Sequence, residues 1–293
     1  MLADLQQATQ WLTSIGIQFS ATRIVSYEQD IKSLLTAIRQ NNIASFTKKE
    51  GFSKVANSFY EASQLISIHR ALHKFPETRG LKSRLQFYVK GPLTSEKEKE
   101  VGKSHPARDY GFELFISSMF ANADFDLDLD QRTDVVATKD LQTFYIECKR
   151  PRKEKSLERA IKEAGSQLKA HFNTDSSTIS QFGLVAVSVD LILHPEQSII
   201  QVPNQQSIEY ANRESVKKLF SSHTSWPNIR HPRILGVLFL LKVSTVIADV
   251  NRLTRSNYMA TNSLVSPSSN NGTIFKKLIH QIGSKILGPS VAL

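Results

Sequence analysis

Between residues 107 and 149 the hydrophobic pattern of the chain changes from a helical period to a strand period, and this change limits its fold more than any other feature. The pattern predicts a helix over 107–121. It then predicts three short strands, over 124–130, 132–138 and 143–149. This part of the chain therefore has to form a sheet with a helix packed against it.

Helices and strands alternate further along the chain. Apolar residues three or four apart predict an amphipathic helix over 156–172, and an apolar, β-branched run predicts a buried strand over 182–193. A helix over 205–221 and a strand over 234–247 follow. The order of helix, three strands, helix and strand indicates an α/β protein, in which a mixed central sheet is flanked by helices.

The first hundred residues differ from this core and read as mostly helical, with amphipathic stretches near 2–15, 22–40 and 58–74. The segment 91–106, GPLTSEKEKEVGKSHP, is either a linker between domains or a long surface loop within one domain. We therefore expect a helical N-terminal region over 1–104, a core over 105–250 and a basic C-terminal tail over 251–293.

The C-terminal tail contains no acidic residue. It predicts a Ser/Asn/Pro loop over 263–273 and then a basic amphipathic helix over about 274–287. Such a helix either docks on the core or binds a membrane surface or a partner protein, and the sequence leaves both interpretations open.

Charge and cysteine content narrow the classes of partner and site. The formal net charge is +10, which favours a polyanionic partner, either nucleic acid or an anionic membrane surface. Cys148 is the only cysteine, which excludes an intrachain disulfide and a cysteine-rich zinc site. We see no secretory leader, and the most apolar stretch, 234–248, falls short of a membrane span. A cytoplasmic protein without integral membrane association is expected.

Two acids and a lysine stand out in the segment TDVVATKDLQTFYIECKRP, residues 133–151. Side chains alternate along a strand, so Glu147 and Lys149 share one face of the third predicted strand. Asp134 opens the preceding strand, and a hairpin near Lys139 and Asp140 would bring it next to Glu147. Two carboxylates this close repel each other unless a cation lies between them, and Mg²⁺ suits oxygen ligands. A lysine beside them can orient a water molecule or offset charge on a phosphate, so the set predicts phosphodiester hydrolysis.

The order of these residues resembles the core of the PD-(D/E)xK, restriction-endonuclease-like superfamily of nucleases, over roughly residues 107–190. Asp134 matches the first acid of the motif, Glu147 the second acid and Lys149 the lysine. Glu113 matches the acid that members often carry on the first core helix. Thr133 replaces the proline, which is a common variation.

One more position of the superfamily's pattern has a partial counterpart here. Gln167 resembles the glutamine that some exonuclease-like members carry on the helix after the lysine. His171 stands where such members have tyrosine. This departure puts the exonuclease subtype in doubt.

The resemblance implies a restriction-endonuclease-like αβββαβ core and Mg²⁺-dependent cleavage of nucleic acid, usually DNA. In this interpretation Asp134, Glu147 and Glu113 bind Mg²⁺, for which Mn²⁺ can substitute, and Lys149 and Gln167 assist. Many members cut both strands as dimers, so a homodimer is an expectation too. Two alternatives stay open: a nucleic-acid-binding or assembly module that has lost cleavage, and the same chemistry on RNA.

Several of these residues also have simpler interpretations. Glu113 is surrounded by apolar residues, so it needs a partner, either a metal or a cation such as Lys149 or Arg108. Asp124–Asp130 alternates acidic and apolar residues, but it lacks the glycine and glutamate of a calcium loop and predicts a half-buried strand. Four cations directly after the catalytic lysine predict contacts with a nucleic-acid backbone: Arg150, Arg152, Lys153 and Lys155. A second basic stretch, over 69–84, is either another such contact or a solvated face.

Overall fold

An eight-stranded mixed sheet forms the centre of the protein. The computed structural model describes residues 1–20, 22–40, 51–91, 106–131, 133–172, 180–194, 199–221, 229–250, 252–283 and 290–292. Most of the predicted linker, 92–105, lies outside the described residues. The fold is α/β, with helices flanking the mixed sheet, as the sequence predicts at this level.

Strands β1 to β4 come from the part of the chain that carries the motif. They are β1 (Asp126–Asp128), β2 (Val135–Lys139), β3 (Gln142–Lys149) and β4 (Ser180–Ser188). The first three pair antiparallel, and β4 is parallel to β3. Each of the first three strands lies inside its predicted range or extends at most one residue beyond it, because the turns between them mark the ends of the strands clearly.

The other half of the sheet is built on one long strand. It comprises β5 (Ile200–Val202), β6 (Ile234–Ile247), β7 (Arg252–Ser263) and β8 (Ser290–Ala292). β4 pairs in parallel with the first half of β6 and β5 with its end, and β7 pairs antiparallel with β6 from Gly236 to Ile247. The sequence analysis missed β7, because polar residues fill its second half and leave no strand-like alternation.

Nine helices are described: α1 (Leu2–Ser14), α2 (Arg23–Arg39), α3 (Phe52–Leu72), α4 (Arg79–Val89), α5 (Pro106–Asn122), α6 (Leu157–Phe172), α7 (Asp190–Leu193), α8 (Gln205–Ser221) and α9 (Asn270–Gly283). A 3₁₀ turn, Glu154–Ser156, precedes α6. α4 was not predicted. The strand predicted over 182–193 ends at Ser188, because the Asp190 carboxylate turns back and accepts a hydrogen bond from the backbone N–H of Lys242 at 2.7 Å. No helix within the described ranges is long and apolar enough to cross a membrane.

The two faces of the sheet bury two different apolar cores. Phe144 and Ile146 belong to a core that continues through α1 to α5 and α9. Tyr145 and Val185 belong to the opposite core, which α6 and α8 cover. Successive residues of β3 thus serve opposite faces, as strand geometry requires. The basic helix α9 buries Phe275, Leu278 and Ile282 in the first of these cores, so it docks on the molecule.

A two-residue turn fixes the alignment of β2 with β3. Asp140 and Leu141 have φ angles of 51° and 60°, the left-handed conformation that a type I′ turn requires. Lys139 pairs with Gln142 across this turn, and Val135 pairs with Ile146 at the other end. Asp134, one residue before Val135, therefore stands opposite Glu147.

Candidate active site

Asp134, Glu147 and Lys149 meet at the ends of β2 and β3. The backbone N–H of Cys148 donates a 2.7 Å hydrogen bond to Oδ2 of Asp134, which holds this carboxylate against β3. The Asp134 carboxylate is close enough to Glu147 to raise the pKa of the Glu147 carboxyl group. Lys149 Nζ lies 3.5 Å from Glu147 Oε2. The structure thus brings the three predicted residues together.

Glu147 lies in an environment that disfavours its charged form. Only 3% of its surface is exposed. Burial raises the pKa of its carboxyl group to about 7, and the neighbouring charge of Asp134 adds to the increase. Lys149 lowers the pKa and only partly offsets these effects. Together the Asp134 and Glu147 carboxylates hold more negative charge than this lysine neutralises, which favours an additional cation.

His171 contacts the same carboxylate from α6. Its Nε2 lies 3.7 Å from Glu147 Oε1 and 2.9 Å from Thr133 Oγ1. The imidazole ring stacks on Tyr145, with 5.8 Å between the ring centroids. Thr133 and His171 therefore contact each other beside Glu147.

Glu113 and Arg84 form a buried ion pair beside Asp134. Arg84 Nε lies 2.7 Å from Glu113 Oε2, and about a tenth of each side chain is exposed. Burial and the nearby charge of Asp134 raise the pKa of Glu113 to about 8, although Arg84 opposes the increase. Arg108, which the sequence offered as a partner for Glu113, contacts Glu61 instead.

Arg84 is the site residue whose role the sequence analysis missed. It was included in the basic stretch 69–84, but its guanidinium points into the protein, where it also donates to the Asp134 carbonyl oxygen at 2.9 Å. Two other cations of that stretch form surface ion pairs, Arg70 with Asp4 and Lys82 with Glu77. Sequence pattern alone could not distinguish Arg84 from these neighbours.

Gln167 lies on the exposed side of α6. The residue of this helix that reaches Glu147 is His171, one turn further on. Cys148 is half-buried on the other face of β3, and burial raises the pKa of its thiol. The catalytic role of Gln167 stays a prediction.

A wide cleft with a cavity volume of about 970 Å³ opens beside these residues. Glu113, Asp134 and Lys149 line it. The four cations that the sequence predicted as nucleic-acid contacts all line it: Arg150, Arg152, Lys153 and Lys155. Arg159, from the first turn of α6, adds a further cation. The Arg150 side chain is enclosed, since its guanidinium lies 3.0 Å from Asp109 and 9% of the side chain is exposed.

The donor set determines which metal the site would fit. Among the described residues, no group of three or more His, Cys, Asp and Glu side chains is arranged to hold an ion. Mg²⁺ does not need such a group, since it commonly binds through one or two carboxylates and takes its other ligands from water and phosphate. Asp134 and Glu147 fit that pattern, while the assignment of Glu113 as a third ligand stays a prediction.

The acidic strand β1 supports the neighbouring loop. The Asp128 carboxylate accepts hydrogen bonds from the backbone N–H of Asp130 and the side chain of Gln131. The Asp130 carboxylate accepts one from the backbone N–H of Gly80. These acids therefore stabilise the β1–β2 loop, as expected for a strand and its turn.

Comparisons of the chain with protein-family models, with curated proteins and with solved structures found no match.

Proposed function

We propose that this protein is a metal-dependent nuclease that hydrolyses phosphodiester bonds, with DNA as the substrate. The observation that supports this most directly is the convergence of Asp134, Glu147 and Lys149 beside a cleft that Asp134, Lys149 and several further cations line. The cations of the cleft can bind a polyanion, and the two carboxylates can bind the cation that the reaction needs.

In this proposal Asp134 and Glu147 bind Mg²⁺, or Mn²⁺ in its place. The metal supplies positive charge next to the scissile phosphate. Lys149 orients the attacking water or donates to a non-bridging phosphate oxygen, where charge builds up in the transition state. Water adds to phosphorus, the P–O bond breaks, and the leaving oxygen takes up a proton. Arg152, Lys153 and Lys155 hold the backbone of the substrate in register.

The order of elements around these residues supports the same proposal. The chain runs α5, β1, β2, β3, α6 and β4, with an antiparallel β-meander followed by a parallel strand. This order agrees with the αβββαβ core that the sequence resemblance implies. We propose that the core is restriction-endonuclease-like on this basis, and that two copies act together on duplex DNA.

Plasmid cleavage with Mg²⁺ and with EDTA tests the proposal. We expect cleavage with Mg²⁺ or Mn²⁺, none with EDTA, and a decrease in kcat of at least about 100-fold for Lys149→Ala, because a charge donor at the transition state is removed. Lys276→Ala is the control, since Lys276 is exposed on α9 and its substitution removes the same charge from another surface. Cleavage that persists both in EDTA and without Lys149 would contradict the mechanism.

Labelled duplex DNA, single-stranded DNA and RNA should be tested in parallel. Cleavage of RNA alone would assign the chemistry to a ribonuclease. Tight binding without cleavage of any of these substrates, unaffected by Asp134→Ala, would instead indicate a binding module.

A further inference from the structure

We infer that Arg84 is a positioning residue of the active site and that Glu113 anchors Arg84 instead of serving as a third metal ligand. This inference rests on the proposed function. Arg84 comes from the N-terminal helical region and donates to three acceptors in the core: Glu113 Oε2, the Leu129 carbonyl oxygen and the Asp134 carbonyl oxygen.

The hydrogen bond to Asp134 is the one that bears on chemistry. Arg84 holds the backbone carbonyl of Asp134, while the N–H of Cys148 holds Oδ2 of its side chain. Asp134 precedes β2 and therefore lacks a strand partner at its own position. Fixing its backbone and its carboxylate from two directions keeps the remaining carboxylate oxygen in one place, as a metal ligand requires.

Glu113 has a different set of contacts from the two proposed ligands. Its Oε2 accepts from Arg84 at 2.7 Å, in a pair that is about nine-tenths buried on both sides. A guanidinium in this position uses its planar fork to hold several acceptors at once. Glu113 fixes one branch of the fork, so the others point at the β1–β2 loop and at Asp134.

Helix α4 is docked so that Arg84 can make these hydrogen bonds. The backbone N–H of Gly80, in its first turn, donates to the Asp130 carboxylate. A Cβ atom at Gly80 would overlap the Leu129 carbonyl oxygen, so a glycine is required for this close approach. Helix α4 therefore contacts both ends of the β1–β2 loop, through Gly80 at Asp130 and through Arg84 at Asp134.

Lysine and amide substitutions separate positioning from charge and from metal binding. Lys at position 84 keeps the charge but cannot reproduce the three-branched arrangement. Gln at position 113 keeps an acceptor oxygen for Arg84 but is a poor Mg²⁺ ligand. The variants to compare are Arg84→Lys, Arg84→Ala, Glu113→Gln and Asp134→Asn, with Arg213→Lys as the matched control on the exposed side of α8.

The measurements are kcat, KM for DNA, and Mg²⁺ affinity by calorimetry on protein whose folding is checked by thermal unfolding. For both Arg84 variants we expect Mg²⁺ affinity and kcat to fall by about 10- to 100-fold, the range for residues that orient ligands, with KM unchanged. Glu113→Gln should keep Mg²⁺ affinity within about threefold of wild type, whereas Asp134→Asn should abolish binding.

Two results would overturn the inference. One is wild-type kcat and Mg²⁺ affinity in Arg84→Lys, which would show that the site needs only the positive charge of Arg84 and not its three hydrogen bonds. The other is loss of Mg²⁺ binding in Glu113→Gln to the extent seen in Asp134→Asn, which would make Glu113 a ligand. If Arg84→Ala does not fold, Arg84→Lys and Glu113→Gln decide the question. Absence of cleavage by the wild type would refute the proposed function instead. Calorimetry separates this outcome from failure of the inference, because it measures Mg²⁺ binding without any cleavage.

Discussion

Glu147 is in an environment that disfavours a carboxylate, since it is buried and next to Asp134. A group whose folded pKa is raised stabilises the fold at low pH, and this stabilisation is lost as pH rises through the folded pKa. For Glu147 the stability is lost between pH 4.5, its ordinary pKa, and its folded pKa of about 7. The folded pKa of Glu113 is about 8, so its contribution is lost up to about pH 8.

The metal-free protein should therefore lose stability between pH 5 and pH 8, because both buried carboxyl groups give up a proton there. Mg²⁺ should raise the unfolding temperature more at pH 8 than at pH 6, since a proton competes with the cation for Glu147 below pH 7. Thermal unfolding in EDTA and in Mg²⁺, at several pH values, measures both effects.

Glu147→Gln provides the control for this prediction. It removes the titrating group and keeps a similar shape, so the contribution of Glu147 to the pH dependence should disappear. An Mg²⁺ stabilisation that stays the same from pH 6 to pH 8 would show that the cation binds elsewhere.

The segment between β3 and α6 supplies the cations with which the cleft would bind a polyanion. Arg150 is enclosed by its contact with Asp109, whereas Lys153 and Lys155 are exposed along the cleft. Exposed cations that replace condensed counterions on DNA make affinity fall with salt. The two lysines should accordingly contribute to DNA affinity and to its salt dependence.

We expect the double variant Lys153→Ala/Lys155→Ala to bind DNA more weakly, with a slope of log affinity against log salt that is smaller by about 1.8, since each phosphate that a lysine neutralises accounts for about 0.9 of the slope. Fluorescence anisotropy over a series of salt concentrations, in Ca²⁺ to prevent cleavage, measures the slope. Lys276→Ala/Lys277→Ala removes the same charge from α9 and should leave the slope unchanged. Equal changes in the two double variants would mean that only net charge matters.

The N-terminal helices and the sheet share one apolar core. Leu5, Ile31 and Leu65 from the helices belong to the same buried cluster as Phe144 and Leu238 from the strands. A buried ion pair also lies at this boundary, since Lys242 on β6 contacts Asp190 and lies 3.4 Å from Gln64 Oε1 on α3. Removing α1 to α4 would expose the apolar residues of α5 and of the sheet that these helices cover.

A fragment of residues 106–293 should therefore not fold by itself, because it would lack α1 to α4, which complete this apolar core. We expect poor dispersion in its proton–nitrogen NMR spectrum and no cooperative thermal unfolding, while the full chain shows both. Co-expression with a fragment of residues 1–91 should restore a soluble complex. A cooperative unfolding transition of the isolated fragment would make the helical region a separable domain.

The local pattern of apolar and polar residues was enough to predict several elements of this fold and part of the candidate site. Helix α8 and strand β6 begin and end at the predicted residues, since a strong period bounded by polar or turn residues is a local property. The pairing of Asp134 with Glu147 also followed from sequence, because a short hairpin permits little variation in register. Strand alternation placed Lys149 on the face of Glu147 for the same reason.

Only the tertiary structure decided which distant residues complete the site. Arg84 lies 50 residues before Asp134 along the chain, and its role depends on how α4 docks against the β1–β2 loop. His171 reaches Glu147 because α6 crosses that face of β3 at a particular angle. Neither contact has a local signature, since an arginine in a basic stretch and a histidine on a helix look alike whether they face water or a buried carboxylate. Packing geometry alone distinguishes the two cases.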